Sequence, residues 1–141
     1  MFDLVHSIQI AAPPAKVFPL ISTAQGLAQW WAADVTEVEG GVELGFFNRD
    51  TVYRLKCNAS ESPLLAEWLC ETGKEWACTR LLFRLQPVAG GALVRFAHTG
   101  WRADTDYYVS CHTVWGALLF RLKGAAEGKS PGPLFTKDAM A

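Results

Sequence analysis

Apolar residues recur along this chain in two rhythms, and the change from one to the other sets the expected fold. In residues 3–10, DLVHSIQI, the set Leu4, His6, Ile8 and Ile10 alternates with Val5, Ser7 and Gln9. That is the period of a half-buried strand with its even-numbered face inward. Ala12-Pro13-Pro14 ends it, and the two prolines suit the entry and first turn of a short helix over 15–22, which Pro19 keeps short or kinked. A second short helix is expected over 25–33, ending in Trp30-Trp31. From 34 to 100 the period-two rhythm returns, in strands near 34–39, 42–48, 51–59, 64–71, 76–87 and 91–99. The turns between them fall at Gly40-Gly41, Asn48 to Asp50, Ser60 to Pro63, Thr72 to Lys74 and Ala89 to Gly91. Most of these are hairpin connections, so the sheet is expected to be antiparallel. Leu81, Phe83 and Leu85 share one face against Arg80 and Arg84, and Val94, Phe96 and His98 share one against Arg95.

Over 104–127 the rhythm changes to that of a helix. At about 100° per residue, Tyr108, Cys111, His112, Trp115, Leu118, Leu119 and Leu122 form one stripe, with Asp106, Ser110, Thr113, Ala117, Arg121 and Gly124 opposite. Asp104 and Asp106 suit the positive end of the helix dipole, and Arg121, Lys123 and Lys129 the negative end. Gly128 and Pro131 stop it. A strand, two short helices, six strands and one long helix make an α+β domain in two layers, the helix lying across an antiparallel sheet. Twisted sheets curl, so space is expected between sheet and helix. Residues 1–128 form the expected single domain, and 129–141, without periodicity, a loosely ordered tail.

Length and composition narrow the reading. At 141 residues and 50% hydrophobic content the chain fills one core and is short for two domains. A net charge of −1 gives no footprint for nucleic acid or an anionic membrane. No charged start leads into a long apolar run and no stretch approaches the length of a membrane span, so a cytoplasmic protein is expected. Cys57, Cys70, Cys78 and Cys111 lack the close spacing of zinc or redox sites and are expected to be free thiols. Aromatic content of 12%, with six tryptophans, exceeds what a small solid core needs, so some of these rings are expected to line a cavity.

Several motifs together resemble the START and birch-pollen-allergen superfamily (SRPBCC), and within it the branch of the activator of heat-shock protein ninety ATPase. They are IQIAAPPAKVF (8–18), Trp30-Trp31, Arg84-Leu85-Gln86-Pro87 leading to Gly90-Gly91, His98-Thr99-Gly100-Trp101, and VWGALLFRLK (114–123) followed by Glu127-Gly128-Lys129. They cover nearly the whole chain in order. The resemblance implies a helix-grip fold, in which a curved antiparallel sheet of about six or seven strands grips the C-terminal helix. It also implies a cavity for a small apolar or amphipathic molecule, without specifying the ligand.

The candidate ligand-binding residues are Tyr53, Phe83, Phe96, His98, Trp101, Tyr108, Cys111, His112, Trp115 and Leu119. Aromatic walls with a few polar tips are what apolar ligand sites are made of. His98 from a strand and His112 from the helix are expected to face one cavity, either orienting a ligand or, as the bland alternative, satisfied inside the core. No catalytic residue is assigned, because no carboxylate is reliably placed to orient either imidazole; Glu67, in one of its two phases, is the first place to look. No metal ligand set is assigned, since His6, His98, His112 and Cys111 lack zinc spacing. Cys111 and His112, adjacent on a helix, diverge too far to act as nucleophile and base. No cofactor is expected. The first reading is a binding module for a small hydrophobic or aromatic molecule, with a homodimer compatible. The second is an enzyme of the cyclase or dehydratase kind found in the superfamily. A chaperone-interacting domain is disfavoured, because one domain leaves no second binding region.

Overall fold

The computed structural model describes residues 1–138. Strand β1 (Phe2–Ile10) is followed by helices α1 (Pro14–Ser22) and α2 (Ala24–Leu27), then by β2 (Asp34–Val38), β3 (Gly41–Phe46), β4 (Thr51–Glu61), β5 (Leu65–Cys70), β6 (Arg80–Val88), β7 (Gly91–Trp101) and α3 (Asp106–Ala126). The seven strands form one antiparallel sheet in the order β1-β7-β6-β5-β4-β3-β2. This is the α+β helix-grip architecture, with β1 returning beside β7 at one edge and β2 forming the other.

Register explains the layers. Leu4 pairs with His98, His6 with Phe96 and Ile8 with Val94, so the inward set of β1 continues into that of β7. Phe83 and Leu81 extend the same face across β6. Leu4, Phe83, Phe96, Trp115 and Leu122 are all at most 1% exposed and fill the layer between sheet and α3. Burial of each such side chain stabilises the fold by roughly 1.5–3 kcal/mol. Helix α3 is capped by Thr105, whose hydroxyl accepts from the Tyr108 N–H at 3.2 Å and donates to Glu75. Asp106 stands in its first turn and Lys123 in its last, as the dipole favours.

Two boundaries differ by more than two residues from the sequence pattern. The strand expected from 76 begins at Arg80, because Trp76–Thr79 is a turn: the Thr79 N–H and hydroxyl both donate to the Trp76 carbonyl, at 2.9 and 2.6 Å, and Cys78 has φ of 73°. The second short helix stops at Leu27, and the tryptophans that follow are core anchors, with Trp30 Nε1 donating to the Leu20 carbonyl at 2.8 Å. After α3 the chain comes back to these tryptophans. The N–H groups of Leu134 and Phe135 donate to the carbonyls of Trp30 and Trp31, both at 3.0 Å, and Leu134 is buried. The expectation of a loosely ordered tail extends over 139–141, which lie outside the described residues.

Candidate functional site

The buried stripe of α3 is Cys111, Trp115, Leu118, Leu119, Leu122 and Ala126. Its two flanks differ. On the flank toward β1, the Tyr108 hydroxyl donates to the Asp3 carbonyl at 3.0 Å and Lys123 Nζ to the Gln9 carbonyl at 3.0 Å. On the other flank Tyr107, Cys111, Val114 and Leu118, at i, i+4, i+7 and i+11, border a recess of about 530 Å³. The hairpin of β3 and β4 supplies Phe46 and Tyr53, the turn before β6 supplies Gly73, Glu75 and Trp76, and Trp31, Trp115 and Phe135 complete the walls.

The rings around this recess hold one another in place. Tyr53 stacks on Trp76 with centroids 4.3 Å apart and planes 7° from parallel, and its hydroxyl pairs with that of Tyr107 across the recess. Gly73, at φ of 104°, leaves room for that stack, since a Cβ there would lie 2.6 Å from the Tyr53 ring. Phe135 meets Phe46 edge-on at 5.1 Å. Burial pushes the Tyr53 and Tyr107 hydroxyls and the Cys111 thiol above their ordinary pKa values, and the charge of Glu75 pushes Tyr53 and Cys111 the same way. These two hydroxyls and the thiol are therefore neutral at physiological pH, in a lining that also holds Asp50, Lys74 and Glu75. Among the described residues, the buried Trp76 indole N–H has no hydrogen-bond partner.

His98 belongs to a different structure. It is fully buried, and its Nδ1 accepts from Trp115 Nε1 at 3.2 Å. An indole N–H only donates, so Nδ1 carries no proton and the proton sits on Nε2. That nitrogen donates to Thr79 Oγ1 at 2.8 Å, and the threonine hydroxyl in turn donates to the Trp76 carbonyl at 2.6 Å. Every member of this relay is satisfied, and burial holds the imidazole down to a pKa of about 3. The imidazole is locked neutral.

The candidates named from the sequence thus divide. Tyr53, Cys111 and Trp115 border the recess. Phe83, Phe96, His98, Trp101 and Leu119 are core residues that do not reach it. Tyr108 lies half-buried on the closed flank, edge-on to Trp101 at 5.3 Å. His112 does not face the interior: it is exposed and meets the ring of His6 at 4.7 Å, because it sits at the margin of the helix stripe on the β1 side. Burial and the neighbouring His112 lower the pKa of His6. Glu67 points away from both histidines and accepts a hydrogen bond from Asn58. All four cysteines are free. Among the described residues no helix is long and apolar enough to cross a membrane, and no three His, Cys, Asp or Glu side chains are grouped to hold a metal.

Sequence reasoning missed Trp31, Phe46, Trp76, Tyr107 and Phe135 as neighbours in one recess. The periodic signal for Tyr107 was present, since it precedes Cys111 by four, Val114 by seven and Leu118 by eleven residues. Trp76 was hidden in an expected strand and Phe135 in an expected tail.

A curled antiparallel sheet closed by a C-terminal helix, with an aromatic recess on one flank, defines a domain of the START and birch-pollen-allergen class. Residues 11–127 match the family of the activator of Hsp90 ATPase homolog 1-like protein, and the chain belongs to that family. No curated protein matches the sequence significantly. Among solved structures, the Aha1 dimer from Colwellia psychrerythraea is 28% identical with a TM-score of 0.79, over 92% of this chain and 98% of that one. An AHSA1-like protein from Rhizobium etli is 24% identical with a TM-score of 0.68, over 94% and 86%. A protein from Staphylococcus saprophyticus, 17% identical with a TM-score of 0.72 over 90% and 93%, shares the fold.

Proposed function

We propose that this protein is a binding module for a small apolar or aromatic molecule, held in the recess between α3 and the hairpin of β3 and β4. The observation that carries the reading is the recess itself. Its volume of about 530 Å³ lies within the span of roughly 300–1,000 Å³ usual for ligand sites. Its walls are largely aromatic, its Tyr53 and Tyr107 hydroxyls and Cys111 thiol are neutral, and Asp50, Lys74 and Glu75 stand in the same lining. Such a lining takes up a flat apolar body by area burial and orients it by one or two hydrogen bonds. The alternative of a cyclase or dehydratase loses support, because both ring nitrogens of His98 are engaged and the ring does not reach the recess. We further propose a homodimer, by likeness to the Colwellia protein, which is a dimer. A chaperone-directed role rests on the family name alone.

Titration with Nile red, a neutral aromatic dye, tests the binding reading, together with native mass spectrometry of protein purified from cells. Saturable binding lost in Val114→Trp, which fills the recess from its helix wall, is expected. Absence of binding, or binding unchanged by that substitution, overturns the reading.

A further inference from the structure

The seven arginines divide by their surroundings. Arg49 and Arg54 are ion-paired with Asp34 and Glu43, Arg121 donates to the Pro131 and Gly132 carbonyls at 2.9 and 3.1 Å, and Arg102 reaches the Ala77 carbonyl at 3.5 Å. The remaining three, Arg80, Arg84 and Arg95, make no ion pair or side-chain hydrogen bond among the described residues. All three are exposed on β6 and β7, on the face of the sheet turned away from α3.

Their arrangement is specific. Arg84 and Arg95 stand directly opposite each other in the β6–β7 register, and Arg80 lies two pleats along from Arg84 on the same face. Between them the half-buried Leu82 and Ala97 are paired, and Val5, 66% exposed, continues that row on β1. Of the nearby carboxylates, Glu67, opposite Leu82, is taken by Asn58, Asp3, two residues before Val5 on β1, accepts the Gly100 N–H at 3.1 Å, and Glu61, opposite Leu65, lies beyond β5 at the end of β4. Like charges directly opposite across strands are unfavourable, so the fold itself gains nothing from this pair. Nor is the cluster a by-product of a basic composition, since the net charge is −1.

We propose that this sheet face is a docking surface for an acidic protein segment, with carboxylates seated between Arg84 and Arg95 and aliphatic side chains on Leu82, Ala97 and Val5. The planar guanidinium fork matches a carboxylate in two-point contact. Arginine set among aliphatics is the composition of protein interfaces. A nucleic acid would ask for more cations and less apolar floor. The surface lies across the sheet from the recess, so the proposal is independent of ligand binding there.

A fluorescently labelled synthetic peptide alternating Glu and Leu, titrated into the full chain at low salt, tests it. Binding should weaken as salt is raised and fall at least about tenfold in Arg84→Gln/Arg95→Gln, about 1.4 kcal/mol. The double variant Lys16→Gln/Lys129→Gln, with the same change in net charge, should bind as the unaltered chain does. No binding, an equal loss in both double variants, or tighter binding to a single-stranded oligonucleotide or to phosphatidylserine vesicles than to the peptide overturns the proposal. Thermal melting supplies the second readout. Arg84→Gln alone should leave Tm unchanged or raised, because the opposed charges are relieved, and a fall of several degrees would make the arginines structural and overturn the proposal as well.

Discussion

The two flanks of α3 use the same kinds of side chain to opposite ends. On the β1 flank, Tyr108 and Lys123 reach main-chain carbonyls of the edge strand, and Glu127 accepts the Ala11 N–H at 2.8 Å. On the far flank, the Tyr107 hydroxyl pairs with that of Tyr53 at the recess. Beneath the helix the His98, Thr79 and Trp115 relay is complete, whereas among the described residues the buried nitrogens Trp76 Nε1 beside the recess and His6 Nε2 and Trp101 Nε1 on the closed side have no partner. Aromatic content alone therefore does not mark a ligand site. What separates the flanks is whether the tyrosine hydroxyls and the flanking charged groups reach the protein's own backbone, as Tyr108, Lys123 and Glu127 do, or border a recess, as Tyr107 does.

The largest expected break in this comparison is Trp115→Ala, since Trp115 serves both sides: its ring packs on Phe96 at 4.2 Å and its N–H serves His98. Loss of roughly 3–5 kcal/mol is expected from the cavity left behind, measured by chemical denaturation. A cost well below that would mean the ring mainly borders space that was already empty.

Thr79→Val comes next. It leaves the His98 Nε2 proton buried without an acceptor, at a cost of about 1–3 kcal/mol. The pH profile is a sharper probe of the same relay. The folded pKa of His98, about 3, lies below the unfolded value of 6.5, so its contribution is fully present above pH 6.5 and is lost as pH falls toward 3. Stability should decline by at most ~1.4 kcal/mol per pH unit from this group, and His98→Gln should flatten the slope in that window. On the open flank the sign reverses, because Tyr53, Tyr107 and Cys111 have raised values. Their contribution is present below their ordinary pKa values and is lost as pH rises above them.

Smaller effects sharpen the contrast. Gly73→Ala should press on the Tyr53 ring and strain a left-handed backbone, reducing stability by about 1 kcal/mol and Nile red binding with it. His112→Ala should change stability by less than about 0.5 kcal/mol, as exposed substitutions usually do, and leave dye binding alone. Loss of dye binding in that variant would move the site to the β1 flank.

Alternation and helical period determined most of the fold. The inward sets Leu4 to Ile10, Leu81 to Leu85 and Val94 to His98 follow from a side-chain period of two, which leaves no other face to bury, and one long amphipathic helix left a single way to cover them. The same reasoning placed Cys111 and Trp115 on the inward stripe of the helix, and both border the recess, as does Tyr53, whose strand phase the alternation left open. A helical wheel, however, gives a stripe and not the sheet beneath each of its margins. His112 and Tyr107 stand on opposite margins of that stripe, and only the lie of α3 across the curved sheet decided that one meets His6 and the other Tyr53. Only packing, likewise, brought Trp76 from a turn and Phe135 from beyond the helix to a shared wall, because residues far apart in sequence carry no common period. The state of His98 was decided there as well. Its strand phase said inward, but the donor on Nδ1 and the acceptor on Nε2 come from α3 and from the turn before β6, and those two contacts made it a core histidine.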